Sequence, residues 1–307
     1  MDLIEEYIDY HRRKRSKTKS DRRQILGKFR EDVGKPLDEV ERSDVQDWIE
    51  YMDGTGVKAS TLNQYLCVLK HFFSWLSHEL PSPTNQEEMR EVFEKQKQFG
   101  KIQDIGRLEE EPKEEKIIDS DDLVKLVSSA RRRVHAKVFV LTSYFGLRRD
   151  ELRLLTKDSV NFENSTITVN RPMTKTPAGT REIPFHPWIG GLLEESRGEY
   201  VLGGKKPYSQ SFFHWSEYDG VLDFHFTTHT FRRTYNTLMR PILQEKLGNA
   251  LGDYLLKTLM GHKTSGSDMS EHYTGKTKTF EDDKRRAQTD WHYYNRDDLF
   301  ERLGEYL

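Results

Sequence analysis

Apolar residues recur at helical spacing through the first 80 residues, and two-residue alternation is confined to one short region near the middle of the chain. The first helical stripe is Leu3, Ile4, Tyr7, Ile8 and His11. A second, Ile25, Leu26 and Phe29, lies within a helix expected from Ser20 to Val33 and ended by Gly34 and Pro36. Ser43-Asp44-Val45-Gln46 reads as a capping box for a third helix carrying Val45, Trp48, Ile49 and Met52 and stopped by Gly54. Ser60 is expected to cap a longer fourth helix with Leu62, Tyr65, Leu66, Leu69, Phe72, Phe73 and Leu76, which ends before Pro81-Ser82-Pro83. The alternating region is Ser165-Thr166-Ile167-Thr168-Val169 followed by Thr180 to Phe185, with Pro177-Ala178-Gly179 as the turn signal. The pattern predicts a mainly α chain with a small antiparallel β-hairpin or sheet, an α+β class.

Residues 84–116 are charged and poor in apolar groups, with Glu109-Glu110-Glu111-Pro112-Lys113-Glu114-Glu115 at their end. They read as an exposed inter-domain linker, partly helical around Glu87 to Gln98, between a helical domain over 1–83 and a second domain over 117–307. In the second domain Ser120 is expected to cap a helix to Arg131, and the apolar run Ala136 to Tyr144 should be a buried helix broken by Gly146. A further helix is expected from Arg149 to Leu155. Asn295 is expected to cap a final helix over 295–307, with Leu299, Phe300, Leu303 and Leu307 on one side. That stripe can pack on its own domain or dock on a neighbouring copy.

The 307 residues suffice for two domains, and with 35% hydrophobic and 33% charged residues the chain is expected to carry much solvated surface. No apolar run is long enough to span a bilayer, and the start, Met1-Asp2-Leu3-Ile4-Glu5-Glu6, lacks the features of a secretory signal. The single cysteine, Cys67, fits a reducing compartment and is expected to pack in the interior of the fourth helix. A cytoplasmic location is therefore expected. Net charge is only −2, yet Arg12, Arg13, Lys14, Arg15, Lys17, Lys19, Arg22 and Arg23 concentrate positive charge in one segment. A local basic face of this kind is what DNA phosphates require, although the same run fits a solvated helix surface.

Four separated fragments carry the chemistry: Gly146-Leu147-Arg148-Arg149-Asp150-Glu151-Leu152; Thr174-Lys175-Thr176; His229-Thr230-Phe231-Arg232; and Gly261-His262 followed by Tyr273. They supply guanidinium groups, an ammonium, two imidazoles and a phenol, the mixture that a phosphoryl transition state calls for. Arginine grips a pair of nonbridging oxygens with a planar fork that keeps its charge. Arg148 and Arg232 are candidates, but each has a neighbour, Arg149 and Arg233, of the same chemistry. Glu151, three residues after Arg148, is placed to orient a site arginine. No zinc-protease motif is present and one cysteine cannot build a structural zinc site, so neither metal nor other cofactor is expected.

In order and type these fragments resemble the tyrosine recombinase (phage integrase) family, whose site runs as Arg in a G-x-R-x-x-E-L helix, Lys on a hairpin, H-x-x-R, G-H and Tyr. The resemblance implies an N-terminal four-helix core-binding (SAM-like) DNA-binding domain and a tyrosine-recombinase catalytic domain. It selects Arg148 and Arg232 from their pairs, with His229 and His262 as hydrogen-bond donors to the phosphate. Lys175 becomes the acid that protonates the leaving 5′ oxygen, and Arg181, on the returning strand, is expected to touch backbone phosphate. Tyr273 becomes the nucleophile. It follows His262 by eleven residues, slightly more than the family pattern, and Thr264-Ser265-Gly266-Ser267 reads as an enlarged loop. Tyr254 precedes the G-H pair, and Tyr293 and Tyr294 lie well beyond it. The implied activity is site-specific recombination of double-stranded DNA through a 3′-phosphotyrosyl link, without ATP, by a homotetramer on DNA. The alternatives are a Xer-like dimer resolvase, a type IB topoisomerase-like relaxase and a non-catalytic DNA-binding protein that retains the fold.

Overall fold

The structure, a computed structural model, describes residues 2–11, 16–112, 115–174, 177–264, 278–296 and 298–307. The chain divides into two compact units, 1–113 and 114–307.

The first unit is helical. It comprises α1 (Leu3–Tyr10), α2 (Ser16–Val33), α3 (Arg42–Gly54), α4 (Ala59–His78) and α5 (Gln86–Gln103). Tyr7, Leu26, Phe29, Leu62, Phe72 and Phe73 are buried in its core, so the four expected stripes all face inward. Phe29 meets Trp48 edge-on at 5.1 Å, and Trp48 also stacks on Tyr65. The helix starts differ from the expected caps. The cap of α3 lies at Glu41, whose backbone N–H donates to Asp44 at 2.8 Å, and α4 follows Lys58 rather than Ser60. Cys67 is exposed, because it sits off the face formed by Leu62, Leu66, Leu69 and Phe73.

The reading of 84–116 as a linker is corrected. Asn85 caps α5 by accepting from the Glu88 N–H at 2.9 Å, and the helix packs on α3 and α4. Phe99, Ile102 and Ile105 enter the first core. Beyond the helix, Asn63 of α4 exchanges two hydrogen bonds with the backbone of Leu108, at 3.0 and 2.9 Å. A few inward apolar residues dock this segment, and the surrounding charge hid them in the average composition.

The second unit begins with α6 (Ser120–Ser128), capped by Asp119 rather than Ser120, and α7 (Arg133–Phe145), which is buried from His135 onward. Next come α8 (Arg149–Arg153), β1 (Val160–Asn161), β2 (Thr166–Val169) and β3 (Arg181–Pro184). The strands form an antiparallel meander in the order β1-β2-β3, with Ile167 opposite Ile183 and Val169 opposite Arg181. Then follow α9 (Pro187–Glu194), α10 (Thr228–Leu247), α11 (Asn249–Met260), α12 (Lys278–Thr289) and α13 (Leu299–Gly304). The architecture is thus mainly helical with one small antiparallel sheet.

The C-terminal helix is shorter than the expected 295–307, and it packs on its own unit. Leu299 and Leu303 are fully buried, Phe300 stacks on His186 and Trp188 at 4.9 and 4.8 Å, and Arg302 pairs with Asp121 at 2.7 Å. Among the described residues no helix is long and apolar enough to cross a membrane.

Candidate active site

Two left-handed glycines bring the site together. Gly146 ends α7 at φ 59°, and a Cβ there would lie 2.7 Å from the Tyr235 ring. The chain turns at this point and leaves Arg148 as the N-cap of α8. Gly261 ends α11 at φ 64°, where a Cβ would lie 2.6 Å from a guanidinium nitrogen of Arg181. The turn sends His262 back towards Arg232. The third contribution is the start of α10. Thr227 accepts from the His229 N–H at 3.2 Å and donates its own N–H to Thr230 at 3.0 Å, so His229 lies in the first turn of a 20-residue helix.

Arg148, Arg149, Asp150, Met173, Thr174, Thr228, His229 and Arg232 line a cleft of about 370 Å³. The N-terminus of α10 opens onto it, a position that favours an anion. Arg148 and Arg232, chosen from their pairs by motif, both face the cleft. Arg149 joins them as a third guanidinium, whereas Arg233 is not part of the lining. The repeated Arg-Arg in the sequence was the available signal for Arg149. Thr228 had none beyond its place beside the H-x-x-R motif.

Glu151 organises the arginines from beneath and is fully buried. It accepts from Arg148 Nη1 at 2.8 Å and from the Arg148 backbone N–H at 2.9 Å. It also accepts from both Nη atoms of Arg181, at 3.2 and 3.0 Å, and lies 4.0 Å from Arg232 Nη1. Burial pulls its carboxyl pKa up, but Arg181 and then Arg148 outweigh burial and hold it below the usual glutamate value.

Arg232 is almost entirely buried. It donates to the carbonyl oxygens of Gly146 and Met260 and, at 3.0 Å, to Nε2 of His262. A guanidinium has five N–H groups, so two remain for a ligand once these contacts are counted among the described residues. Burial, followed by the neighbouring Arg148 charge, lowers its pKa to about 9, which leaves it cationic at neutral pH. His229 and His262 are both displaced below the ordinary histidine pKa, first by burial. Arg233, Arg232 and Arg148 add to the shift for His229; Arg232, Arg148 and Arg181 do so for His262.

Arg181 does not have the expected phosphate role. It is sealed inside, and each of its three nitrogens bonds to Glu151, Leu259 or Gly179. The strand pattern already held the signal, since Arg181 shares the inward parity of Ile183 while Glu182 points out. In the first unit, Arg22 donates to Tyr7 Oη at 2.7 Å, and Arg23 forms two bonds to Glu5 at 2.6 and 2.7 Å. Lys17 is exposed and Lys19 half-buried. Arg12, Arg13, Lys14, Arg15, Lys175 and Tyr273 lie outside the described residues.

Two rival tyrosines are removed by burial. Tyr294 is 1% exposed, and Tyr293 is buried with its hydroxyl donating to Ser143 O at 3.2 Å; desolvation raises both phenol pKa values. Among the described residues no cluster of three His, Cys, Asp or Glu side chains is arranged to hold a metal.

Residues 4–80 match the family of the phage integrase N-terminal SAM-like domain. In fold the chain is similar to the Tn1549 transposon integrase in complex with transposon right end DNA, at 17% identity over 89% of this chain and 97% of that one, with a TM-score of 0.62. It is also similar to lambda integrase solved as a tetramer bound to a Holliday junction, at 14% identity over 86% of this chain and 77% of that one, with a TM-score of 0.63. A lambda integrase dimer on a core site gives 14% identity, coverage of 85% and 94%, and a TM-score of 0.59. No curated protein matches the chain in sequence.

Proposed function

From the premise that this chain is a tyrosine recombinase in fold, with a phage-integrase SAM-like domain at its N-terminus, we propose that it is a site-specific, integrase-like DNA recombinase. The observation that carries the reading is the convergence of Arg148, Arg232 and His229 on one cleft, with His262 bonded to Arg232. Nothing in a binding-only protein requires that convergence of arginines and imidazoles.

In this reading a scissile phosphate occupies the cleft. Arg148 and the free donors of Arg232 neutralise its nonbridging oxygens, where negative charge grows in the transition state. His229 and His262 add hydrogen bonds. Tyr273 gives its phenol proton to His229 as its oxygen attacks phosphorus, the bond to the 5′ oxygen breaks, and Lys175 gives that oxygen a proton. The product is a 3′-phosphotyrosyl link and a free 5′-hydroxyl. A 5′-hydroxyl from a second duplex then gives its proton to Lys175 and attacks the link, the bond from phosphorus to the Tyr273 oxygen breaks, His229 returns a proton to that oxygen, and the strand is resealed. The phosphodiester energy is kept throughout, so ATP is not consumed. The partners are double-stranded DNA and further copies of the chain, four on a pair of sites by analogy with the lambda integrase tetramer. Arg12, Arg13, Lys14, Arg15, Lys17 and Lys19 supply backbone contacts from the first unit, and the protein resides with the nucleoid.

The test starts from a randomised library of nicked duplexes from which the chain selects sites by covalent capture. Two copies of a selected site in direct repeat on a plasmid should recombine and delete the segment between them. Supercoil relaxation without deletion would mark a relaxase instead. Binding with no adduct would mark a regulator that keeps the fold.

A further inference from the structure

Arg181 makes four hydrogen bonds to three separate pieces of chain while only 3% of its side chain is exposed. Nε donates to Leu259 O at 2.6 Å, near the end of α11. Nη1 donates to Gly179 O at 2.8 Å, in the turn between β2 and β3, and to Glu151 Oε1 at 3.2 Å. Nη2 donates to Glu151 Oε2 at 3.0 Å. These bonds use four of its five N–H groups, and the side chain is sealed inside and is not part of the cleft lining.

The contacts of Arg148 fall on the same two places. Its Nη1 is held by Glu151 Oε1 at 2.8 Å, and its Nη2 by Gly261 O at 3.3 Å, two residues beyond Leu259. Arg148 differs in exposure, with 41% of its side chain open. We propose that Arg181 is a positioning residue for Arg148: it clamps the Glu151 carboxylate and the end of α11, and these two anchors aim the Arg148 guanidinium into the cleft. This rests on the recombinase reading above.

The physical argument concerns which groups share Glu151. With Arg181 in place, the carboxylate is held from the interior side and Arg148 takes only part of its charge. Without Arg181, a buried carboxylate has Arg148 and Arg232 as its nearest cations, and the cheapest compensation is to draw Arg148 inward. The phosphate would then lose a ligand that is still present in the chain. Gly261 fits this account, since a side chain there would displace the guanidinium of Arg181.

The test uses full-length chain and a nicked duplex isolated by covalent capture with the wild type, carrying either an ordinary scissile phosphate or a methylphosphonate. The methylphosphonate removes the negative charge that Arg148 neutralises. Arg148→Ala calibrates the assay. Arg181→Gln should cleave the ordinary linkage about 100-fold slower, the cost expected of a small misplacement. Its DNA affinity should stay within about three-fold, because phosphate contacts elsewhere dominate binding. On the methylphosphonate the deficit should shrink to about 10-fold or less, as for Arg148→Ala, because the misplaced charge is no longer needed. A wild-type rate, or an equal deficit on both linkages, would overturn the role. If Arg181→Gln does not fold, Arg181→Lys, which keeps the buried charge but loses the fork, is judged by the same criteria. Absence of any wild-type adduct overturns the recombinase reading and this proposal with it.

Discussion

Arg232 Nη2 lies 3.0 Å from Nε2 of His262, and this contact selects the tautomer of the imidazole. An arginine can only donate, so Nε2 accepts and the ring proton sits on Nδ1. The ring is therefore neutral in the free protein. It presents its N–H donor on the side away from Arg232.

The same logic sets the titration of both site histidines. Burial and nearby arginines lower the pKa of His229 and His262, so each ring should titrate below about 6.5 in the free protein. A bound phosphate adds negative charge beside both rings and should raise both midpoints. Ring nitrogen chemical shifts followed across pH, with and without DNA, measure this. A midpoint above the ordinary histidine value without DNA would contradict the geometry.

His292 supplies a second pH effect, on stability rather than chemistry. It is wholly buried; Nε2 faces Tyr144 O at 3.0 Å and Nδ1 accepts from the Tyr294 N–H at 3.2 Å. Protonating Nδ1 would oppose two donors. Burial pushes the pKa down to about 3. Between the unfolded value near 6.5 and this one, the unfolded chain binds the extra proton, so stability falls as pH falls. The slope from this group approaches about 1.4 kcal/mol per pH unit. Urea unfolding at pH 6.5 and 5 should show a loss in wild type that is about 2 kcal/mol larger than in His292→Phe. Equal losses would show that the folded ring already carries the proton.

The C-terminal helix behaves as core of its own unit. Leu303 is fully buried there, so Leu303→Ala should destabilise the isolated monomer by about 2–5 kcal/mol. Removing residues 298–307 should lower the melting temperature of the monomer further. Unchanged monomer stability, with loss only of assembly on DNA, would place the helix against a neighbouring copy.

Lys175→Ala should slow cleavage by about 10²–10⁴-fold, the usual range for a positioned general acid. A 5′-bridging phosphorothiolate leaves without protonation and should restore the rate. Equal impairment on both substrates would remove Lys175 from the acid role.

Much of this was legible in the chain itself. The stripes of α1 to α4 and the buried run of α7 follow from spacing, and the alternation at Thr166 to Val169 and Arg181 to Pro184 marks the sheet. Arg148, His229 and Arg232 stand in recognisable motifs, and the fold brings them together. Other features were obscured for physical reasons. The inward residues of α5 and the segment after it are diluted by many exposed charges, so composition pointed to a linker. Helix starts depend on single hydrogen bonds, such as that of Glu41 to Asp44, which nearby serines imitate. Arg181 was misread because its charge outweighed its strand parity with Ile183. Its partner, Glu151, is distant in sequence and only the folded chain brings them into contact.

The account turns on Tyr273, and the most direct measurement is peptide mapping of the covalent adduct formed on a captured nicked duplex. Wild type should carry the 3′-phosphate on the peptide containing Tyr273. Tyr273→Phe should form no adduct while binding the duplex within about three-fold of wild type, since one hydroxyl adds little to a phosphate-dominated interface. An adduct on any other residue, or one that persists in Tyr273→Phe, would contradict the account.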